Sequence, residues 1–322
     1  MAKQTGIGAN FYIGGYDISG DVSAINAING SNAVKEVTGI DKSAVERISL
    51  RRDGEISISG WFDTSAGQEH PALNGSPTTD LLATATIGTS LGNAAANAWG
   101  KQITYDLDLA DDGSLAVKSQ VLPDGYGVEW GVLLTTGKQT FTGTTNGTGV
   151  DLGNAGTAAV SITSNSIANP TVVTANAHGL VTGDSVTISG VITSSPSING
   201  DWPVTYTGPN TFTIPVNVTV AGTGGTLQKT SGNFGGSSYL QVFSLTGTSH
   251  IVKVQHSADN AVADAFTDVS GLVHTSVTGR IVGERVSTTT TTTIIKRYAR
   301  MVITGTFNPS AVCVVLTRNQ TS

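Results

Sequence analysis

A single cysteine among 322 residues rules out an intrachain disulfide, and its place in the apolar run 311–316 makes Cys313 a buried thiol rather than a nucleophile or a metal ligand. Charged residues are scarce at 12%, too few for a charge-extended disordered chain, and no apolar run approaches the roughly 18 residues of a spanning helix. Lys, Glu and Leu are sparse, whereas glycine (forty residues), threonine, serine and asparagine abound. The good helix formers are thus the missing ones, and the composition predicts a folded, mainly β protein. Its length suffices for one large core or two ordinary ones without a structural metal. Residues 1–6 lack the apolar core of a signal peptide, so synthesis in the cytoplasm without export is expected, and the Asn-x-Ser/Thr triplets at Asn29, Asn74, Asn146, Asn217 and Asn319 are chance products.

Catalytic and cofactor motifs are missing as well. The sequence contains no Gly-x-Gly-x-x-Gly between strand and helix, no phosphate-binding Gly-Lys-Ser/Thr loop and no His-Glu-x-x-His. No enzyme, cofactor or metal is expected. His250 and His256 fall on one strand face but lack a third ligand, which makes them structural. Asp106 and Asp108 read as a solvated face rather than an acid/base pair, and Asp111-Asp112-Gly113 as a turn, since the rest of a calcium loop is missing. Trp61, Trp99, Trp130 and Trp202 read as core anchors.

The net charge of -6 is unevenly spread: residues 1–157 sum to -8, 158–231 to -1 and 232–322 to +3. Opposite signs at the two ends could help copies associate head to tail, although a long acidic half with a mildly basic tail is also common by chance. The same cuts define three expected units: 1–157, an inserted β module at 158–231, and a C-terminal β domain at 232–322.

In the first unit, 46–60 reads as a hairpin, with Ile48, Leu50, Ile56 and Ile58 on one face and a turn at Arg52-Asp53-Gly54. A second hairpin sets Ile103, Tyr105, Leu107 and Leu109 against Gln102, Thr104, Asp106 and Asp108, turns at Asp111-Asp112-Gly113, and returns through Leu115, Val117 and Val121. Between them Ser76-Pro77 precedes an apolar pair, Leu81-Leu82, predicting a short helix, and 21–28 is a weaker helix candidate. The middle unit shows strands at 171–174, 185–188, 204–207 and 211–214 between glycine-rich flanks, the pattern of an inserted domain. The last unit shows strands at 239–245, 250–255, 297–304 and 311–317, and the tract 287–293 reads as an extended loop or strand end.

A family likeness becomes specific at Phe11-Tyr12-Ile13-Gly14-Gly15-Tyr16-Asp17-Ile18-Ser19-Gly20-Asp21-Val22 and Val37-Thr38-Gly39-Ile40-Asp41-Lys42-Ser43-Ala44. With Arg52-Asp53-Gly54-Glu55-Ile56-Ser57, Gly125-Tyr126-Gly127-Val128-Glu129-Trp130-Gly131, Tyr239-Leu240-Gln241-Val242-Phe243, Gln255-His256-Ser257-Ala258-Asp259-Asn260 and Arg297-Tyr298-Ala299-Arg300-Met301-Val302, the chain resembles the major tail proteins of long-tailed, non-contractile bacteriophages (siphoviruses). The likeness covers roughly residues 10–150 and 234–319. The middle segment, through Ala177-His178-Gly179-Leu180, Thr182-Gly183-Asp184-Ser185-Val186 and Asn210-Thr211-Phe212-Thr213, resembles a small β module of other phage structural proteins.

The resemblance implies a tail-tube β-sandwich with one or two short helices, assembling into rings with a β-barrel lumen. Such rings are hexamers, or trimers with pseudo-sixfold symmetry, stacked into a tube that the DNA genome traverses. The implied partners are further copies of the chain, then tail terminator, tape measure and distal tail proteins, with transient passage of DNA and no membrane insertion. The implied location is the virion tail after synthesis in the host cytoplasm. Alternation decides which residues share a face, and the likeness assigns to the lumen Arg47, Ser49, Arg51, Glu55, Ser57, Ser59, Gln102, Thr104, Asp106, Asp108, Lys118 and Gln120. Two other classes stay open at this stage: a carbohydrate-binding or adhesive β-sandwich, and a β-rich glycosidase using two of Glu55, Asp106 and Glu129.

Overall fold

The computed structural model describes residues 8–75, 79–152, 159–230, 233–257, 260–261, 265–278, 281–290 and 293–318. The cuts between the expected units fall at 153–158 and 231–232, outside the described residues. The first part of the chain forms β1 (Asn10–Ile13), β2 (Tyr16–Asp17), β3 (Val22–Glu36), β4 (Arg47–Trp61), the short helix α1 (Glu69–Leu73), β5 (Leu81–Thr86), β6 (Ala94–Leu109), β7 (Leu115–Leu133), β8 (Gln139–Phe141), β9 (Thr145–Asn146) and β10 (Val150–Asp151). The middle forms β11 (Val160–Ser161), β12 (Ser164–Asn165), β13 (Thr171–Thr174), β14 (Ser185–Ser189), β15 (Gly200–Pro203), β16 (Thr205–Gly208), β17 (Thr211–Ile214) and β18 (Thr226–Thr230). The last part forms β19 (Asn233–Phe234), β20 (Gly236–Ser257), β21 (Thr267–Val277), β22 (Ile281–Ser287), β23 (Ile294–Ile295) and β24 (Tyr298–Arg318). The protein is mainly β, built of antiparallel sheets, and among the described residues no closed barrel forms within one chain.

Two long strands turn a corner and so build two layers from one sheet. The start of β6 pairs with β5, which pairs with β1, while its end pairs with β7 beside β4 and β3. The bend falls at Gly100, where the ladder shifts register and any side chain would strike the Leu122 carbonyl. Phe11, Ala83, Ala85, Ala96 and Ala98 from one layer and Ile56, Ile58 and Val121 from the other share a core. β20 and β24 repeat the device: they run together along nearly their whole length, bend at Gly247 and Gly305, and enclose a core that includes Leu240, Val252, Val254, Met301, Val312 and Val314. Positive φ at both glycines is the reason no side chain stands there.

β7 joins the halves through Leu133↔Val315 and Val132↔Leu316, so residues 10–151 and 236–318 contribute to one 14-stranded sheet. Gln241 stitches the joint. It accepts from the Gly15 N–H at 2.8 Å and donates to the Leu82 carbonyl at 2.8 Å. The middle segment stands apart with two four-stranded sheets, β11-β18-β14-β15 and β12-β13-β17-β16, around its own core of Ile162, Val173, Val186, Ile188, Phe212, Ile214 and Leu227. An ion pair, Lys296 Nζ to Asp201 Oδ2 at 3.4 Å, connects it to the larger body.

Several expectations need correction. Residues 47–60 lie in one strand, β4, rather than in a hairpin, and its partner is β3. Gly54 marks a close approach instead of a turn, because a side chain there would meet the Asn29 carbonyl and Val128. The helix expected from Ser76 onward is absent at Leu81 and Leu82, which open the wholly buried β5, while residues 76–78 lie outside the described set. The observed helix lies earlier, at Glu69–Leu73. The helical candidate at 21–28 is the start of β3. Val22, Ile25 and Ile28 repeat every three residues because two bulges each add one residue, which keeps all three on the core side of a strand. The four strands expected in the last unit merge into two, β20 and β24. The β6–β7 hairpin, its turn at 111–113 and the strands of the middle module form as expected. Of the tract 287–293, the described residues leave β22 at Ser287 and continue as turns, with 291–292 outside the described set.

Candidate assembly surface

The functional candidate is the sheet β3-β4-β7-β6, whose one face packs on the core and whose other face is polar and uncovered. Cross-strand register assembles that face in rows. One row runs Ala27, Ser57, Gln120, Thr104, and the next Ala24, Ser59, Lys118, Asp106. Glu55 and Asp108 extend the face at either end. Glu55 accepts from Asn29 Nδ2 at 2.9 Å and from Gln120 Nε2, Ser59 Oγ accepts from Asn26 Nδ2 at 2.7 Å, and Lys118 Nζ lies 3.5 Å from Asp108 Oδ2.

Eight of the twelve residues named from sequence therefore share one face: Glu55, Ser57, Ser59, Thr104, Asp106, Asp108, Lys118 and Gln120. Gln102 does not. A bulge between Gln102 and Thr104 reverses the alternation, so Gln102 faces the core opposite Val121 and donates to the Leu73 carbonyl at 2.7 Å. Arg47 and Ser49 are likewise displaced. A bulge in β4 between Ser49 and Arg52 puts them on the opposite side from Glu55, with Arg51 in the bulge itself. The twelve residues named from sequence sum to zero, with Arg47, Arg51 and Lys118 against Glu55, Asp106 and Asp108, whereas the eight that share the face carry one lysine against three carboxylates and lean acidic.

Both outer strands of this sheet are open. Among the described residues β3 pairs only with β4, and the 102–109 portion of β6 only with β7. Beyond Gly30 and Gly54 the β3–β4 ribbon leaves the body as an arm whose Val34, Val37, Ile40, Val45, Ile48 and Leu50 are exposed. The core edge of β3 also borders a groove of about 510 Å³ lined by Phe11, Val22, Ile25, Ile28 and Ile87 among others.

Helix α1 covers the core side of β6. Glu69 there is only 1% exposed, and burial pushes its carboxyl up to about 7, reinforced by the negative charges of Asp21 and Asp63. Neighbouring Tyr105 is raised to about 12 by burial, then by Glu69, and its hydroxyl lies 2.6 Å from His70 Nδ1. None of this was visible in the sequence, where Glu69 precedes a His-Pro pair and belongs to no apolar pattern.

The remaining sequence candidates fall into structural roles. Cys313 is buried, and burial pushes its thiol up to about 12. His250 and His256 share a face, but His250 Nδ1 meets Ser310 Oγ at 2.8 Å and His256 Nδ1 accepts from the Lys296 N–H. Among the described residues no group of three or more His, Cys, Asp or Glu is placed to hold a metal ion. Glu129 pairs with Arg285 Nη2 at 3.0 Å and accepts from the Tyr239 hydroxyl. Trp99 and Trp202 pack on cores as expected, whereas Trp61 and Trp130 are about half exposed, which corrects their assignment as anchors.

No family model and no curated protein matches the sequence. Among solved structures the chain is similar to the Dit protein of SPP1, described as a paradigm of the hub adsorption apparatus in phages infecting Gram-positive bacteria. Sequence identity is 10% and the TM-score 0.25, over 96% of this chain and 98% of that one.

Proposed function

We propose that this chain is a structural, non-enzymatic subunit of a siphovirus tail tube, which self-assembles into stacked rings that conduct the DNA genome. The observation that carries the reading is the sheet β3-β4-β7-β6 with both edges open. Its strands alternate in direction and are even in number, so the two edge strands run opposite ways. Copies related by rotation about one axis then join β6 to β3 as an antiparallel pair, with every subunit pointing the same way. Ring closure satisfies the unpaired backbone groups that are a liability in a monomer. The segments that resemble major tail proteins lie on this body and not on the middle module, which supports the same reading.

In such a ring the polar face of Ser57, Gln120, Thr104, Lys118 and Asp106 lines the lumen. Its acidic lean suits a channel for a polyanion, because a lysine- and arginine-rich wall would hold DNA by counterion release. Whether rings are hexamers or pseudo-sixfold trimers, and how terminator, tape measure and distal proteins attach, belongs to the same proposal. Negative-stain imaging of purified protein tests it: rings or tubes support the reading, and small monodisperse particles at all concentrations overturn it.

A further inference from the structure

Burial on the open edge strands is not what a free-standing sandwich would show. The core-side residues of β6 beyond α1 are Leu107 and Leu109, and they are 50% and 71% exposed. They stand on the side of the sheet that elsewhere buries Ile56, Ile58 and Val121. At the other edge, the core side of β3 borders the mainly apolar groove between β3 and β1, whose lining also includes Asn10, Ser19, Ser23 and Asn26. One molecule thus carries an uncovered pair of leucines on one edge and an unfilled apolar groove on the other.

The two features are matched in level. Val22, Gly60, Val117 and Leu107 form a single cross-strand row, with Val22 on the β3 edge and Leu107 on the β6 edge. An unstaggered antiparallel addition of β6 to a neighbouring β3 sets Leu107 beside the neighbour's Val22, at the mouth of the groove. Both strands belong to the same twisted sheet, so side chains keep their side on crossing the junction: leucines enter the groove while Thr104, Asp106 and Asp108 continue the polar face.

Resting on the ring assembly proposed above, we infer that the occupant of the β3–β1 groove is the β6 edge of a second copy, with Leu107 and Leu109 as its apolar plug. The plug provides what backbone pairing alone lacks. Two open edges can pair at any register, whereas filling an apolar groove selects one and penalises a one-residue slip, which would turn the leucines into the lumen. The apolar area added at each junction also favours a closed ring over open, slipping chains.

Two measurements test the inference. In Leu107→Asp/Leu109→Asp, both sites being exposed in the monomer, the subunit should keep its circular dichroism and thermal transition but lose assembly at concentrations where the wild type forms rings. In the double variant Val22→Cys/Leu107→Cys, assembled under reducing conditions and then oxidised, denaturing gels should show covalent dimers and higher ladders. Cys313 is buried and gives little background. Normal rings from the aspartate variant, or rings of the double-cysteine variant that give no cross-links, overturn the plug while leaving the ring reading intact. Wild-type protein that stays monomeric overturns both.

Discussion

Arg285 on β22 closes on Glu129 on β7 at 3.0 Å and at the same time stacks its guanidinium 3.6 Å from the centre of the Tyr126 ring. Tyr239 hydroxyl donates to the same carboxylate, and both charged side chains are at most one-tenth exposed. The pair thus ties the first part of the chain to the last inside a water-poor joint, where charge is costly unless matched.

Removing one partner strands the other. Arg285→Met should lower the unfolding free energy by about 3–5 kcal/mol, and Glu129→Gln in the same chain should recover part of that loss. Urea denaturation of the single and double variants checks this. A single-variant loss below about 1 kcal/mol would mean the joint is held by Gln241 and the apolar contacts alone.

Glu69 gives stability a pH dependence of definite sign. Its folded value of about 7 lies above its unfolded value, so the folded state holds the proton longer. Stability from this group is complete at low pH and is lost as pH rises from the ordinary carboxylate range through about 7. The groups facing it are Asp21, Asp63, His70 and Tyr105. Glu69→Gln should therefore be the more stable protein at pH 8, by on the order of 2 kcal/mol, and differ little at pH 5. Parallel stability curves for the two proteins from pH 5 to pH 8 would contradict this.

The middle module should be dispensable for assembly. It has its own two sheets and core, and its described ion pair to the body is Lys296–Asp201. Deleting it and joining Thr157 to Gly232 should leave rings and tubes intact, as an outward-facing decoration would. A deletion variant that folds but no longer assembles would show that the module takes part in contacts between copies.

How much of this was legible in the sequence follows from where the strands keep a strict two-residue period. β6 and β7 around the Asp-Asp-Gly turn do so over 104–109 and 115–121, and the hairpin and its polar face could both be read. β3 does not, because bulges at Ser23 and Asn26 stretch the apolar spacing to three, which imitates a helix. Gly54 imitates a turn because a glycine demanded by a close neighbour looks the same in sequence as one demanded by positive φ. Gln102, Arg47 and Ser49 were misassigned for one shared reason: a single extra residue reverses every side chain beyond it. The plug and groove lay beyond reach, since leucines in an apolar stripe read as core until both edges of the sheet are known.

The acidic lean of the polar face has a functional consequence. Asp106→Lys with Asp108→Lys changes each subunit by +4, repeated around a ring, and should permit assembly while slowing DNA ejection, most at low salt where screening is weak. Ejection kinetics of particles shown to carry the variant check this, and unchanged kinetics at low ionic strength would remove these positions from the DNA path.

The central claim is that the polar face of β3-β4-β7-β6 becomes an enclosed wall when copies join. Ser57 and Thr104 flank Gln120 in one row of that face. Cysteines introduced at these two positions, labelled in assembled tubes with a small maleimide and with one too bulky to enter a narrow lumen, report its location directly. Labelling by the small reagent with protection from the bulky one is the expected result, and equal labelling by both would put the face on the outside and contradict the assembly described here.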